Sequence, residues 1–203
     1  MEEKYENSFK PYAEARGVPI IRDDSHILLS NITKECNPRH ILEIGTAVGY
    51  SGITMLEASN ADLVTIEKLA DLAQEAQENF SAAGLIDRVK IINNDCSLGL
   101  IDLMLDENNL EKFDLIFLDG PKAQYLNMLP SLYALLAPNG TLVADNVLFR
   151  GYVENPKLSP RRYRTIWQRL QKFIDYVENS GDFYDVKLYR IEDGVLVAKK
   201  NNK

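Results

Sequence analysis

Cysteine and histidine are almost missing. The 203 residues hold two of each, Cys36, Cys96, His26 and His40, with no CxxC and no clustered spacing. That argues against a zinc site, and two lone thiols fit a reducing, cytoplasmic setting. Long apolar runs are also lacking. The longest uncharged stretch, Ala123 to Ala144, contains Gln124, Asn127, Pro130, Pro138, Asn139 and Gly140. It reads as helix, turn and strand rather than as a membrane span. The acidic opening Met-Glu-Glu-Lys-Tyr-Glu does not read as a signal peptide. Basic excess is missing too: 23 Lys and Arg stand against 30 Asp and Glu, a net charge of -7. A globally basic nucleic-acid binder is therefore excluded. Hydrophobic residues at 45% and charged residues at 26% are ordinary for a globular chain and exclude disorder. A chain of this length buries a core without covalent staples. It reads as one domain, 1–203, with an N-terminal helical segment at 1–36.

What is present is an alternation of short apolar runs and helical patterns. Expected strands are His40–Ile44, Asp62–Glu67, Arg88–Asn93, Phe113–Asp119 and Thr141–Ala144. Helices are expected at Ser51–Ser59, Leu69–Ala83, Ser97–Leu105 and Ala123–Leu136, with Pro138-Asn139-Gly140 as a turn. This order predicts an α/β fold, a parallel sheet with helices on both faces. A helix from about Arg161 to Asn179 and two strands, Phe183–Arg190 and Val195–Lys199, follow. Asp193-Gly194 joins those strands as a hairpin, so the sheet should finish antiparallel.

Ligands of open α/β sheets sit beyond the carboxyl ends of the strands, and four motifs fall there. Glu43-Ile-Gly45 with Gly49-Tyr-Ser51-Gly52 follows the first strand, and its glycines let backbone approach a ligand. Gly49 alone would serve as well for helix packing. The spacing differs from the G-x-G-x-x-G of dinucleotide folds, which disfavours a nicotinamide oxidoreductase. Glu43 suits an ammonium group better than a pyrophosphate. Glu67, closing the second strand, suits a pair of ribose hydroxyls. Adenosine plus a cationic amino acid describes S-adenosylmethionine. Asp119-Gly-Pro-Lys122 and Asp145-Asn146 follow the fourth and fifth strands. Asp119, Asp145 and Asn146 together would offer a divalent cation such as Mg²⁺ or Mn²⁺ three oxygen donors. Taken singly, each is an ordinary strand-end or turn residue.

On these motifs the chain resembles the cation-dependent O-methyltransferases, the catechol and caffeoyl-CoA group, from about residue 15 to 200. The resemblance implies a Rossmann-like class I methyltransferase fold, seven-stranded, mostly parallel, with the last strand antiparallel. It implies cofactor contacts from Ile21, Glu43, Gly45, Ser51, Glu67, Asp95, Cys96 and Asp119, and metal ligation by Asp119, Asp145 and Asn146. Lys122 matches a lysine proposed as general base; a solvent-facing lysine is the competing reading. A homodimer is a further implication. Asn146-Val-Leu-Phe-Arg150-Gly, Arg161-Arg-Tyr-Arg164 and Asp193-Gly194-Val look closer to a bacterial branch that methylates 5-hydroxyuridine at the tRNA wobble position.

Charge supports a nucleic-acid substrate independently. Arg150, Lys157, Arg161, Arg162, Arg164, Arg169 and Lys172 face one acid, Glu154, within residues 150–172. Arg150, Arg161, Arg162 and Arg164 are the candidate RNA contacts, positioning a backbone rather than reading bases. Tyr152 and Phe149 are candidates to stack on a base. A solvated helix face is the plainer reading of the same charges. Small hydroxylated aromatics remain the alternative acceptor, and a non-catalytic binding module a remoter one.

Overall fold

Five apolar runs become parallel strands: β1 (His40–Ile44), β2 (Asp62–Glu67), β3 (Val89–Asn93), β4 (Phe113–Leu118) and β5 (Leu136–Ala144). The computed structural model describes residues 23–202. It adds an antiparallel pair, β6 (Phe183–Tyr189) and β7 (Val195–Lys200). The helices are α1 (Asp23–Cys36), α2 (Tyr50–Glu57), α3 (Ala70–Ala82), α4 (Cys96–Leu105), α5 (Tyr125–Leu135) and α6 (Arg164–Asn179). The seven-stranded sheet has the order β3-β2-β1-β4-β5-β7-β6. The chain thus winds one way from β1 to β3 and the other way from β4 outward. That reversal opens a crevice beyond Ile44 and Leu118, which are register partners.

The strands are apolar on both faces because helices cover both. In β1 and β4 the side chains alternate between two cores. Leu42, Ile44, Ile116 and Leu118 pack with residues of α4, α5 and α6. Ile41, Leu115 and Phe117 pack with α1, α2 and α3. Phe80 of α3 is fully buried in the second core. It lies where Gly49 and Gly52 leave room: a Cβ on Gly52 would come within 2.7 Å of its Cζ, and one on Gly49 within 3.2 Å. These two glycines serve helix packing, and only Gly45 of the three borders the crevice.

The fifth strand differs from expectation. It begins at Leu136 and carries Pro138-Asn139-Gly140 inside it. Its register with β4 jumps from Phe113–Leu136 to Leu115–Thr141, and Asn139 takes φ 60. The turn signal is real, but pairing resumes beyond it, so it forms a bulge instead of a boundary. Ahead of α5, Lys122–Gln124 is a separate short 3-10 turn, and Arg161–Tyr163 is another ahead of α6. No helix among the described residues is long and apolar enough to cross a membrane.

Candidate active site

A cleft of about 690 Å³ occupies the crevice at the carboxyl ends of β1, β2, β4 and β5, a size typical of small-molecule sites. Gly45, Glu67, Asp95, Cys96, Asp119, Lys122, Asp145 and Asn146 all line it. These residues come from turns far apart in sequence, and the strand order brings them together.

One bank is built from satisfied polar groups. Gly45 has φ +100, and a Cβ there would sit 2.5 Å from the Asp119 carbonyl oxygen; only glycine fits. The Glu67 carboxylate is gripped from both sides. Ala47 N–H donates to Oε2 and Leu69 N–H to Oε1, each at 2.9 Å. Each oxygen retains capacity for a further donor. Asp95 caps α4 by accepting Ser97 N–H at 3.0 Å, and Lys68 Nζ lies 3.2 Å from its Oδ2. Those two contacts hold its carboxyl below the usual range. Burial pushes the neighbouring Cys96 thiol up to about 11, which leaves it a poor nucleophile.

The other bank crowds charge. Lys122 Nζ forms an ion pair with Asp119 Oδ1. Burial opposes its charged form, but the neighbouring Tyr125 hydroxyl and Asp119 carboxylate outweigh that and raise its pKa. Asp145 is 2% exposed. Burial, and then the Asp119 charge, push its carboxyl well above the carboxylate range, although Lys122 and the Asn146 N–H pull the other way. Asn146 takes φ 55 and donates its N–H to Asp145 Oδ1 at 2.7 Å. The Tyr125 hydroxyl reaches the Leu118 and Asp145 carbonyls at 3.0 and 3.1 Å, tying the ends of β4 and β5 together.

Other expected residues lie elsewhere. Glu43 and Ser51 do not line the cleft. Glu43 is fully buried and accepts from Ser51 Oγ at 2.5 Å and Thr65 Oγ1 at 2.7 Å. Burial pushes its carboxyl up to about 7. Ile21 falls outside the described residues. Arg150, Arg161, Arg162 and Arg164 are exposed on the surface and do not line the cleft. Arg150 and Arg162 lie over the Tyr163 ring, at 5.4 and 4.7 Å. Tyr152 stacks on Tyr163 at 5.9 Å, and Phe149 meets both rings edge-on. The two candidate stacking residues therefore belong to one aromatic cluster roofed by arginine.

Lys68, Leu69, Gln124 and Asp193 line the cleft as well, and sequence reasoning missed them. Lys68 and Leu69 are simply the residues that follow Glu67. Asp193 was visible as a turn residue and as part of the Asp193-Gly194-Val resemblance, not as a lining residue.

A profile of the O-methyltransferase family matches residues 2–201. Catechol O-methyltransferase B of Danio rerio is 33% identical over 185 residues, 86% of this chain and 63% of that protein. The chain thus spans less than two thirds of that relative's length. Among solved structures, a Staphylococcus aureus protein provisionally described as a caffeoyl-CoA O-methyltransferase is 26% identical with a TM-score of 0.85, covering 96% of this chain and 91% of its own. The SAH-bound methyltransferase PaMTH1 of Podospora anserina is 27% identical with a TM-score of 0.77, over 98% and 86% of the two chains.

Proposed function

Because the chain belongs to the O-methyltransferase family, we propose that it transfers a methyl group from S-adenosylmethionine to an acceptor hydroxyl, with a divalent cation bound at Asp119, Asp145 and Asn146. The observation that carries this reading is the pairing of two unlike banks across one cleft. Glu67, preset by two backbone N–H groups, faces a lysine and two carboxylates.

The donor set fits a hard cation. Two carboxylates share the cleft, and the Asp145 carboxyl is pushed up first by its burial and then by the Asp119 charge. A divalent ion relieves that repulsion. The Asn146 carboxamide has no partner among the described residues and offers a third oxygen. When bound, the methyl donor supplies a sulfonium methyl, and the cation acidifies and orients the acceptor hydroxyl.

The chain's own residues do the rest. Glu67 accepts the ribose hydroxyls, Asp95 and Cys96 border the adenine end, and Gly45 leaves room for the donor beside Asp119. The acceptor oxygen would gain the methyl group as the donor's bond to it breaks, and the hydroxyl proton would pass to solvent at the cleft mouth. Lys122, paired with Asp119, stabilises the developing oxyanion. Glu43, Thr65 and Ser51 brace the first turn from behind.

For the acceptor, the finer reading is 5-hydroxyuridine at the tRNA wobble position, giving 5-methoxyuridine. The base offers adjacent O5 and O4, the same two-oxygen bite as a catechol. The basic, aromatic surface of Arg150, Arg162 and Tyr163 supports RNA. The names of the relatives support a small catechol as the second reading. Labelled S-adenosylmethionine, with and without EDTA, offered to tRNA carrying 5-hydroxyuridine and separately to catechol, tests both. EDTA-sensitive labelling of the tRNA at far lower concentration supports the first. Labelling of catechol alone supports the second, and EDTA-insensitive transfer would sink the metal role.

A further inference from the structure

The turn of the last hairpin reaches the cleft through Asp193 and touches two elements beside it, the loop after β5 and the first turn of α1. Gly194 N–H closes it on the Ile191 carbonyl at 2.8 Å. Toward the loop after β5, the Gly194 carbonyl accepts Val147 N–H at 3.0 Å and the Asp193 carbonyl accepts Leu148 N–H at 2.8 Å. The Asp193 carboxylate accepts Arg150 N–H at 3.2 Å. Gly194 has φ +83, and a Cβ there would lie 2.4 Å from Leu148 Cγ, so the turn backbone packs directly on the Leu148 side chain. Arg190 Nε adds an ion pair with Glu154 at 2.8 Å.

Toward α1, Ser25 Oγ donates to Glu192 Oε2 at 2.6 Å, and Asp24 N–H lies 3.4 Å from Oε1. Ser25 is 2% exposed, so its hydroxyl reaches this carboxylate from a buried position while Glu192 itself stays exposed. At the next residue the His26 ring stacks on Tyr50 at 4.8 Å, and Tyr50 opens α2 directly after Gly49. The first turn of α1 is therefore tied to the turn after β1 on one side and to Glu192 on the other.

The loop itself needs an outside hold. Asn146, Phe149 and Arg150 all have positive φ, at 55, 42 and 59, a conformation that non-glycine residues keep only when their surroundings impose it.

We infer that the Glu192-Asp193-Gly194 turn is a positioning element for the acceptor, holding the Val147–Arg150 loop in register with the first turn of α1 through the Ser25 and Arg150 hydrogen bonds. Its kinetic consequence rests on the methyltransferase reading above; its structural consequence does not. The two carboxylates act through the groups they hold. Glutamine at 192 keeps an acceptor oxygen for Ser25 and should preserve the device, whereas alanine removes it.

The test compares Ser25→Ala, Glu192→Ala, their double variant and Glu192→Gln with the parent chain. Amide hydrogen exchange at Val147, Leu148 and Arg150 is measured without ligands. KM for catechol and for tRNA carrying 5-hydroxyuridine is measured beside the Kd for S-adenosylmethionine. Loss of one hydrogen bond to a charged group predicts roughly tenfold faster loop exchange and an acceptor KM raised about five- to tenfold. Cofactor Kd should move less than about twofold, the double variant should match the singles, and Glu192→Gln should stay close to the parent. Unchanged loop exchange in folded Ser25→Ala overturns the inference, as does a cofactor Kd that rises as far as the acceptor KM. If neither acceptor is methylated, the methyltransferase reading fails by itself, and the exchange rates alone decide the positioning role. If Glu192→Ala does not fold, Ser25→Ala, which removes a single hydroxyl, carries the comparison.

Discussion

On the bank proposed for the cofactor, Glu67 and Asp95 direct their charge to backbone N–H groups and to Lys68. On the bank proposed for the acceptor, Lys122 pairs with Asp119, and the Asp119 charge adds to burial in raising the Asp145 carboxyl. The first bank is ready before a ligand arrives. The second holds electrostatic energy that binding a cation would release. Substitutions on the two banks should therefore fail differently. Loss of a preset acceptor weakens binding, and loss of a crowded charge stops chemistry while leaving cofactor binding intact.

The largest effect is expected at Asp145. Asp145→Asn should lower methyl transfer roughly hundredfold or more and leave cofactor Kd within about threefold by calorimetry. An equal loss in both quantities would erase the distinction between the banks. Lys122→Gln should cost about ten- to hundredfold in kcat. If Lys122 acts only as a positive charge, the pH–rate profile between pH 7 and 9 keeps its shape in this variant. A basic limb that disappears in this variant would instead make Lys122 the proton acceptor.

Glu67→Gln tests the opposite bank. It should raise cofactor Kd about tenfold and change kcat far less. Glu43→Gln reaches the layer behind that bank and reads out as stability. The folded carboxyl sits near 7 against an ordinary 4.5. Between those values the unfolded chain releases its proton while the folded chain keeps it, so this group makes stability fall as pH rises through that window. Urea denaturation at pH 4.5 and 7.5 should show the difference shrinking by up to about 3 kcal/mol in Glu43→Gln. An unchanged slope would place the ionised form in the native core. The smallest effect belongs outside both banks. Arg164→Ala should weaken tRNA binding about two- to fivefold and reduce the salt slope by about one, with catechol turnover untouched.

The sheet and most of the cleft were legible because both depend on local pattern. Short apolar runs with helical spacers can only pair as a covered parallel sheet, and Glu67, Asp119 and Asp145 stand where those runs stop. The packing partners were less legible. Gly49 and Gly52 carry the same letters as ligand-facing glycines, and only the position of Phe80 shows what they accommodate. Strand alternation puts Glu43 on the face of Ile41 and away from Leu42 and Ile44, toward α2. That parity could have been read in advance, but its partner Thr65 comes from the neighbouring strand. Asp193 was hidden more deeply, since a turn residue becomes part of a cleft wall only through the sheet order. Pro138-Asn139-Gly140 announced a turn correctly, and nothing local told that β4 would pair again beyond it.

The place of β7 has a consequence in time. It lies between β5 and β6 although it follows both along the chain. While a polypeptide emerges from the ribosome, β1 to β4 can pair as soon as each appears, whereas β5 keeps an open edge until β7 is made. The hairpin turn that grips the Val147–Arg150 loop arrives with that strand. The end of the cleft proposed for the acceptor is therefore assembled last, through contacts of long sequence separation that form slowly. A nascent chain should be able to hold the nucleoside end of its cofactor before it can present an acceptor to it.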